Sequence, residues 1–187
     1  MVTEPPPEPP PEPQRFKRRI PEGDDRERAV CQRCGFIAYD NPRLIVGAVC
    51  LWEDRILLAR RAIAPRQGFW TVPAGFMENG ETPAQGAARE VREEALAEVE
   101  IGPLIGLYPL APIDQVHMIY RARMTSPRHA PGPESLETAL VAWADIPWDE
   151  LAFPSIHWAL GDHARTAGST AFQPGTTPPD WVPTPLR

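Results

Sequence analysis

Apolar residues recur at two spacings along this chain, and the change from one to the other marks its elements. Leu44 to Trp52 is an apolar run of about nine residues between Arg43 and Glu53, which predicts a buried strand. Arg55 to Arg61 (RILLARR) predicts its hairpin partner, with Glu53-Asp54 as the turn. Phe69 to Pro73 predicts a short strand running into Ala74-Gly75. The period then becomes helical. From Pro83 to about Val99, residues Ala87, Ala88, Val91, Ala95 and Leu96 mark one apolar face, and Pro83 suits a first turn. Two further strands are predicted near Pro103 to Leu110 and Gln115 to Met124. A Pro/Gly loop, Ser126 to Pro133, leads to a strand over Leu140 to Trp143, and a second helix covers Pro154 to about Ala167. Strands and helices in this mixture describe an α/β domain without internal repeats.

Proline divides the chain further. Of 25 prolines, seven fall in Met1 to Pro13 and five between Pro174 and Pro185, so residues 1–14 and 168–187 read as Pro-rich tails of extended, solvated chain. Residues 15–40 are polar and charged and contain Cys31-Gln32-Arg33-Cys34-Gly35, and the α/β domain occupies residues 41–167. A hydrophobic content of 42 % over 187 residues suffices for a core and excludes wholesale disorder. Lys plus Arg number 19 against 25 Asp plus Glu, a net charge of −6, which argues against a protein that tracks a nucleic-acid backbone. The longest apolar run falls well short of the ~20 residues of a membrane-spanning helix, so no membrane partner is expected. The N-terminus carries Glu and Pro where a secretory signal would be basic and then apolar, and three cysteines do not suggest a disulfide scaffold; the expected compartment is the cytoplasm.

The first helix carries the candidate chemistry. Glu90, Glu93 and Glu94 lie within one turn of each other on its polar side, and three carboxylates so close repel. Two arrangements answer this: a solvated face neutralised by Arg89 and Arg92, or a divalent cation such as Mg²⁺ or Mn²⁺, whose hard charge takes clustered oxygen ligands together with substrate phosphates.

The spacing Gly75-(five residues)-Glu81-(seven residues)-Arg89-Glu90-Val91-Arg92-Glu93-Glu94 resembles the Nudix box, and the preceding Trp70-Thr71-Val72-Pro73-Ala74-Gly75 and Glu78-Asn79-Gly80-Glu81 fit as well. The resemblance to the Nudix hydrolase family covers most of Arg15 to Ala167. It implies an α/β/α sandwich with a mixed sheet. It also implies that Glu90, Glu93, Glu94 and the Ala74 carbonyl hold Mg²⁺ or Mn²⁺, and that a Glu81–Arg89 ion pair orients the loop against the helix. Glu137, in the run Glu134-Ser135-Leu136-Glu137, is the expected extra carboxylate, and Glu94 or Glu137 the expected base. Where the box usually places glycine near the helix end this chain has Leu96, which predicts a slightly longer helix.

The implied activity is metal-dependent hydrolysis of a nucleoside diphosphate derivative, a small-molecule partner, with a homodimer allowed. Pro112, the Ile146 to Phe153 run, the box ending in Glu-Glu-Ala and the absence of a Ser-Gln-Pro-Trp-Pro-Phe-Pro-type run resemble the ADP-ribose/FAD pyrophosphatase branch, which releases AMP. A non-catalytic nucleotide sensor is the alternative. Cys31-x-x-Cys34-Gly35 followed by Asn41-Pro42 resembles the second knuckle of the zinc ribbon that precedes some Nudix domains. No first Cys pair stands near Phe16, and Cys50 lies in an apolar strand, so a zinc-free ribbon is expected and zinc is not expected as a cofactor. Trp52, Trp70 and Trp143 are expected in the core, the four histidines form no ligand set, and Arg60 and Arg61 stand as candidate phosphate contacts.

Overall fold

The computed structural model describes residues 15–169 and 172–182; the tail expected at residues 1–14 lies outside them, as do 170–171 and 183–187. The chain divides into two units, Met1–Asn41 and Pro42–Arg187. In the first, β1 (Phe16–Arg19), β2 (Arg28–Cys31) and β3 (Ile37–Ala38) form an antiparallel sheet in that order. These strands are two to four residues long, too short to leave an alternation from which to predict them. Main-chain bonds from Cys31 N to Phe36 O (2.8 Å) and from Gly35 N to Cys31 O (3.0 Å) close the turn that joins β2 to β3.

In the second unit, β4 (Arg43–Trp52) is the centre of a mixed sheet. β5 (Arg55–Arg61) pairs antiparallel with it through the expected Glu53-Asp54 turn, and β9 (Gln115–Met124) lies parallel on its other side. β8 (Val99–Leu110) and β10 (Ser135–Ala142) complete the order β10-β5-β4-β9-β8, while β6 (Trp70–Thr71) pairs with β5 and β7 (Ala74–Phe76) with β4. Successive side chains of a strand face opposite ways, so both faces of β4 and β5 are covered. Ala48, Cys50 and Leu57 meet Val91 and Ala95 of helix α1 (Pro83–Ala95) on one side. Val49, Ile56 and Leu58 meet Ile156, Ala159 and Leu160 of helix α2 (Pro154–Arg165) on the other. The result is an α/β/α sandwich. No helix among the described residues is long and apolar enough to cross a membrane.

Three expectations need correction. Helix α1 does not run on toward Val99: it stops at Ala95, and Leu96 takes the left-handed conformation (φ 47°, ψ 31°) while its N–H bonds Arg92 O. The carbonyls that a longer helix would have satisfied are taken by the loop after β9, with Gly132 N bonded to Glu94 O at 3.0 Å and Ala130 N to Ala95 O at 2.9 Å. A Cβ at Gly132 would collide with the Glu93 carbonyl, so the close approach of this loop requires glycine. Trp143 leaves the core: β10 ends at Ala142, and Trp143 is largely exposed, edge-on to Trp148 at 5.2 Å. Residues 172–182 are not free solvated chain. Gly175 exchanges main-chain bonds with edge strand β8 (to Ile105 O, 2.8 Å; from Leu107 N, 2.9 Å), and Trp181 packs on Trp158 at 5.5 Å. An unpaired sheet edge offers these donors and acceptors, which composition does not reveal.

Leu96 provides a direct test of the helix end. A left-handed leucine costs roughly 1 kcal/mol over glycine, and little packing offsets it because the side chain is 54 % exposed. Leu96→Gly should therefore raise stability by about 0.5–1 kcal/mol in urea unfolding, and Leu96→Ala, which keeps the strain, should not.

Candidate active site

A loop and a helix meet beside β4 to build the site. Thr82 caps α1 with a reciprocal pair: Gln85 N donates to Thr82 Oγ1 at 3.3 Å, and Thr82 N donates to Gln85 Oε1 at 2.8 Å. This fixes the helix start, so Arg89, Glu90, Glu93 and Glu94 project from a defined register. The Ala74–Phe76 strand crosses close beneath them. A Cβ on Gly75 would collide with the Glu90 carboxylate, so glycine is what lets the loop and the helix carboxylates meet.

Arg89 ties this junction together. Its Nε and Nη2 donate to Glu81 Oε2 and Oε1 at 3.1 and 2.8 Å, the ion pair expected from the sequence. Nη2 also donates to Phe76 O at 2.9 Å, and Nη1 bridges Glu90 Oε1 (2.8 Å) and Glu93 Oε2 (2.9 Å). Bidentate pairing with Arg89 holds the Glu81 carboxyl down to about 2.

The carboxylates themselves differ in environment. Glu90 and Glu94 are buried, whereas Glu93 is more than half exposed. Burial pushes the Glu94 carboxyl up to about 7; the Ala74 N–H, which donates to its Oε2 at 3.0 Å, opposes the shift, and the charges of Glu90 and Glu134 add to it. Glu90 is raised for the same first reason, and Arg89 only partly offsets it. Two desolvated like charges thus sit together with too few protein cations to balance them. That donor set fits a hard divalent cation. Among the described residues no three His, Cys, Asp or Glu side chains are placed to hold an ion by themselves. An ion held here would draw on main-chain and phosphate oxygens as well, the usual arrangement for Mg²⁺.

The three helix glutamates and Ala74 line a cavity of about 1170 Å³. Glu137, expected to add a carboxylate, is not brought there. The β10 ladder shifts register between Ser135 and Glu137, and Glu137 faces Arg60, Nη1 to Oε2 at 3.6 Å. Glu134, three residues earlier, does line the cavity, carried there by the loop that caps α1. Arg61 lines it too; Arg60 instead donates to Gly68 O at 2.8 Å. Several other lining residues carry no local signal in the sequence. His117 is buried, bonded through Nδ1 to Ser155 Oγ and through Nε2 to Gln115 Oε1 (3.0 Å each), and burial lowers its pKa to about 4. Arg66 stacks over Phe69 at 4.9 Å, and its Nε is buried without a hydrogen-bond partner. Trp158 and Trp181 form an aromatic wall, and no local periodicity signals a pocket position for either.

A family model for the NUDIX domain matches residues 41–161, and one for the Nudix N-terminal zinc ribbon matches residues 14–40. A solved NUDIX hydrolase from Nitrosomonas europaea is 48 % identical, with a TM-score of 0.81, over 87 % of this chain and 93 % of that one. The NAD-capped RNA hydrolase NudC of Photobacterium profundum is 36 % identical over 65 % of this chain and 44 % of its own. An ADP-ribose pyrophosphatase of Methanocaldococcus jannaschii is 33 % identical over 37 % of this chain and 41 % of its own. The matched segments thus span less than half of these two curated relatives.

Proposed function

The chain belongs to the Nudix hydrolase family, and from this we propose that it cleaves the diphosphate bridge of a nucleoside diphosphate derivative, with ADP-ribose or FAD as substrate and AMP as a product. The observation that carries the reading is the buried Glu90–Glu94 pair at a cavity that also presents Arg61 and Arg66. Carboxylates in excess at one place and cations at another suit a ligand whose phosphates lie between them. Glu90, Glu93, Glu94 and the Ala74 carbonyl would hold Mg²⁺ or Mn²⁺. When bound, such an ion neutralises phosphate charge and makes water a better nucleophile. The remaining work falls to this chain's residues. Arg89 and Glu81 keep the loop against the helix, the Ala74 N–H orients the Glu94 carboxylate, and Arg61 and Arg66, which line the cavity, suit phosphate oxygens.

Glu94 and a glutamate on the loop side are the candidates to take the proton of the attacking water, and of the two loop glutamates Glu134 lines the cavity whereas Glu137 does not. Glu134→Gln should lower kcat at least about tenfold, while Glu137→Gln leaves it within about twofold. The reverse ranking would restore Glu137 as the base.

The substrate is tested by a hydrolysis panel with Mg²⁺ or Mn²⁺. It compares ADP-ribose, FAD, NADH, NAD-capped RNA, dinucleoside polyphosphates and nucleoside triphosphates. A cavity of this volume, with Trp158 and Trp181 on its wall, can grip both ends of a large molecule and spend that binding on placing the bridge. ADP-ribose or FAD should therefore have the highest kcat/KM and release AMP. The likeness to NudC favours a second reading, an NAD-linked substrate; a higher kcat/KM for NADH or NAD-capped RNA would establish it over the first.

A further inference from the structure

The N-terminal unit has the strands of a zinc ribbon but not its ligands. A structural zinc takes four, commonly thiolates or imidazoles. Residues 1–41 contain Cys31 and Cys34 and no histidine, and Phe16 stands directly across the β1–β2 ladder from Cys31. One chain therefore does not supply a four-coordinate zinc site. The unit is also poor in core: among the described residues, Val30 and Cys31 are its buried apolar ones, while Phe16, Ile20, Phe36 and Tyr39 are exposed. Units near forty residues usually need a metal or a disulfide to hold them.

The two thiols are free, and the turn brings them together. Cys31 is buried at the end of β2, and Cys34 is exposed three residues on. The main-chain N–H groups of Arg33 and Cys34, the Cys34 thiol and the positive charge of Arg15 all favour the Cys31 thiolate. Cys50 shares none of this: it is fully buried in the second unit, and burial pushes its thiol up.

We propose that Cys31 and Cys34 are a redox-active dithiol that small disulfides oxidise to an intramolecular disulfide, closing the ribbon turn where an ion would otherwise do so. The exposed Cys34, as thiolate, attacks one sulfur of the small disulfide and expels a thiolate. The Cys31 thiolate then attacks the Cys34 sulfur of the mixed disulfide and expels the second. Two protein thiols are oxidised, the small disulfide is reduced to two thiols, and the two protein protons end on them.

The test uses the full chain, reduced, desalted and incubated with glutathione disulfide, and read by intact mass and peptide mapping. The expected product is a monomer lighter by two hydrogens, with one peptide carrying the Cys31–Cys34 bond and Cys50 alkylated only after unfolding. Alkylation of Cys34 should slow at least about tenfold and recover on reduction. Cys31→Ser should instead trap one glutathione on Cys34. Before oxidation, elemental analysis after dialysis should find well under one zinc per chain. Three results would overturn the proposal: both thiols staying alkylatable in glutathione disulfide, a bond that links two chains, or one zinc per two chains that blocks oxidation until chelated.

Discussion

Glu93→Gln and Glu94→Gln are each expected to lower kcat at least about a hundredfold at saturating Mg²⁺ while leaving the fold intact. The amide keeps shape and removes charge, so the loss reads the charge. The two residues reach this result from different positions. Glu93 is more than half exposed and shares Arg89 Nη1 with Glu90, so its neutralisation weakens one arm of the Arg89 junction and little else. Glu94 is buried and makes no ion pair among the described residues, and the Ala74 N–H bond only partly offsets the cost of burying its charge. A charge kept at such a cost is expected to serve function. Circular dichroism and unfolding midpoints would establish that the variants fold. Near wild-type turnover in both would remove these glutamates from ion binding.

What could be read from the sequence was what local pattern encodes. Period-two and continuous apolar runs located β4, β5 and β9 almost to the residue, and the 3.6-residue period located α1 and with it the carboxylate face. The Glu81–Arg89 pair that the Nudix resemblance implied is present at 2.8 Å, across a loop and two helical turns. Features that depend on distant chain were not legible. Leu96 caps the helix against propensity because the 130–132 loop takes the carbonyls of Glu94 and Ala95. Glu134 and Glu137 are three residues apart in one acidic run, and only a register shift in β10 decides which one reaches the cavity. His117 resembles any strand histidine until Ser155, from the start of α2, closes over it.

The largest stability effect should come from Glu94 and should depend on pH. Its folded-state pKa of about 7 lies above the ordinary 4.5, so the folded protein binds the proton more tightly than the unfolded chain. Its contribution is fully present below about pH 4.5 and is lost as pH rises through about 7. A shift of that size corresponds to about 3 kcal/mol. The wild-type profile alone would hide this, because His117 and His163, both lowered to about 4 by burial, act in the opposite sense between about pH 4 and 6.5. The difference between Glu94→Gln and wild type cancels them. In chelator-treated protein the variant should match wild type near pH 4.5 and exceed it by about 3 kcal/mol at pH 8, measured by urea unfolding. Excess Mg²⁺ or Mn²⁺ should narrow or reverse the gap, since ion binding to the carboxylate form stabilises the wild type by about 2.7 kcal/mol at a hundredfold over Kd. A difference that stays flat from pH 4.5 to 8 would show that Glu94 is solvated, and it would remove the desolvated carboxylate pair on which the proposed ion site depends.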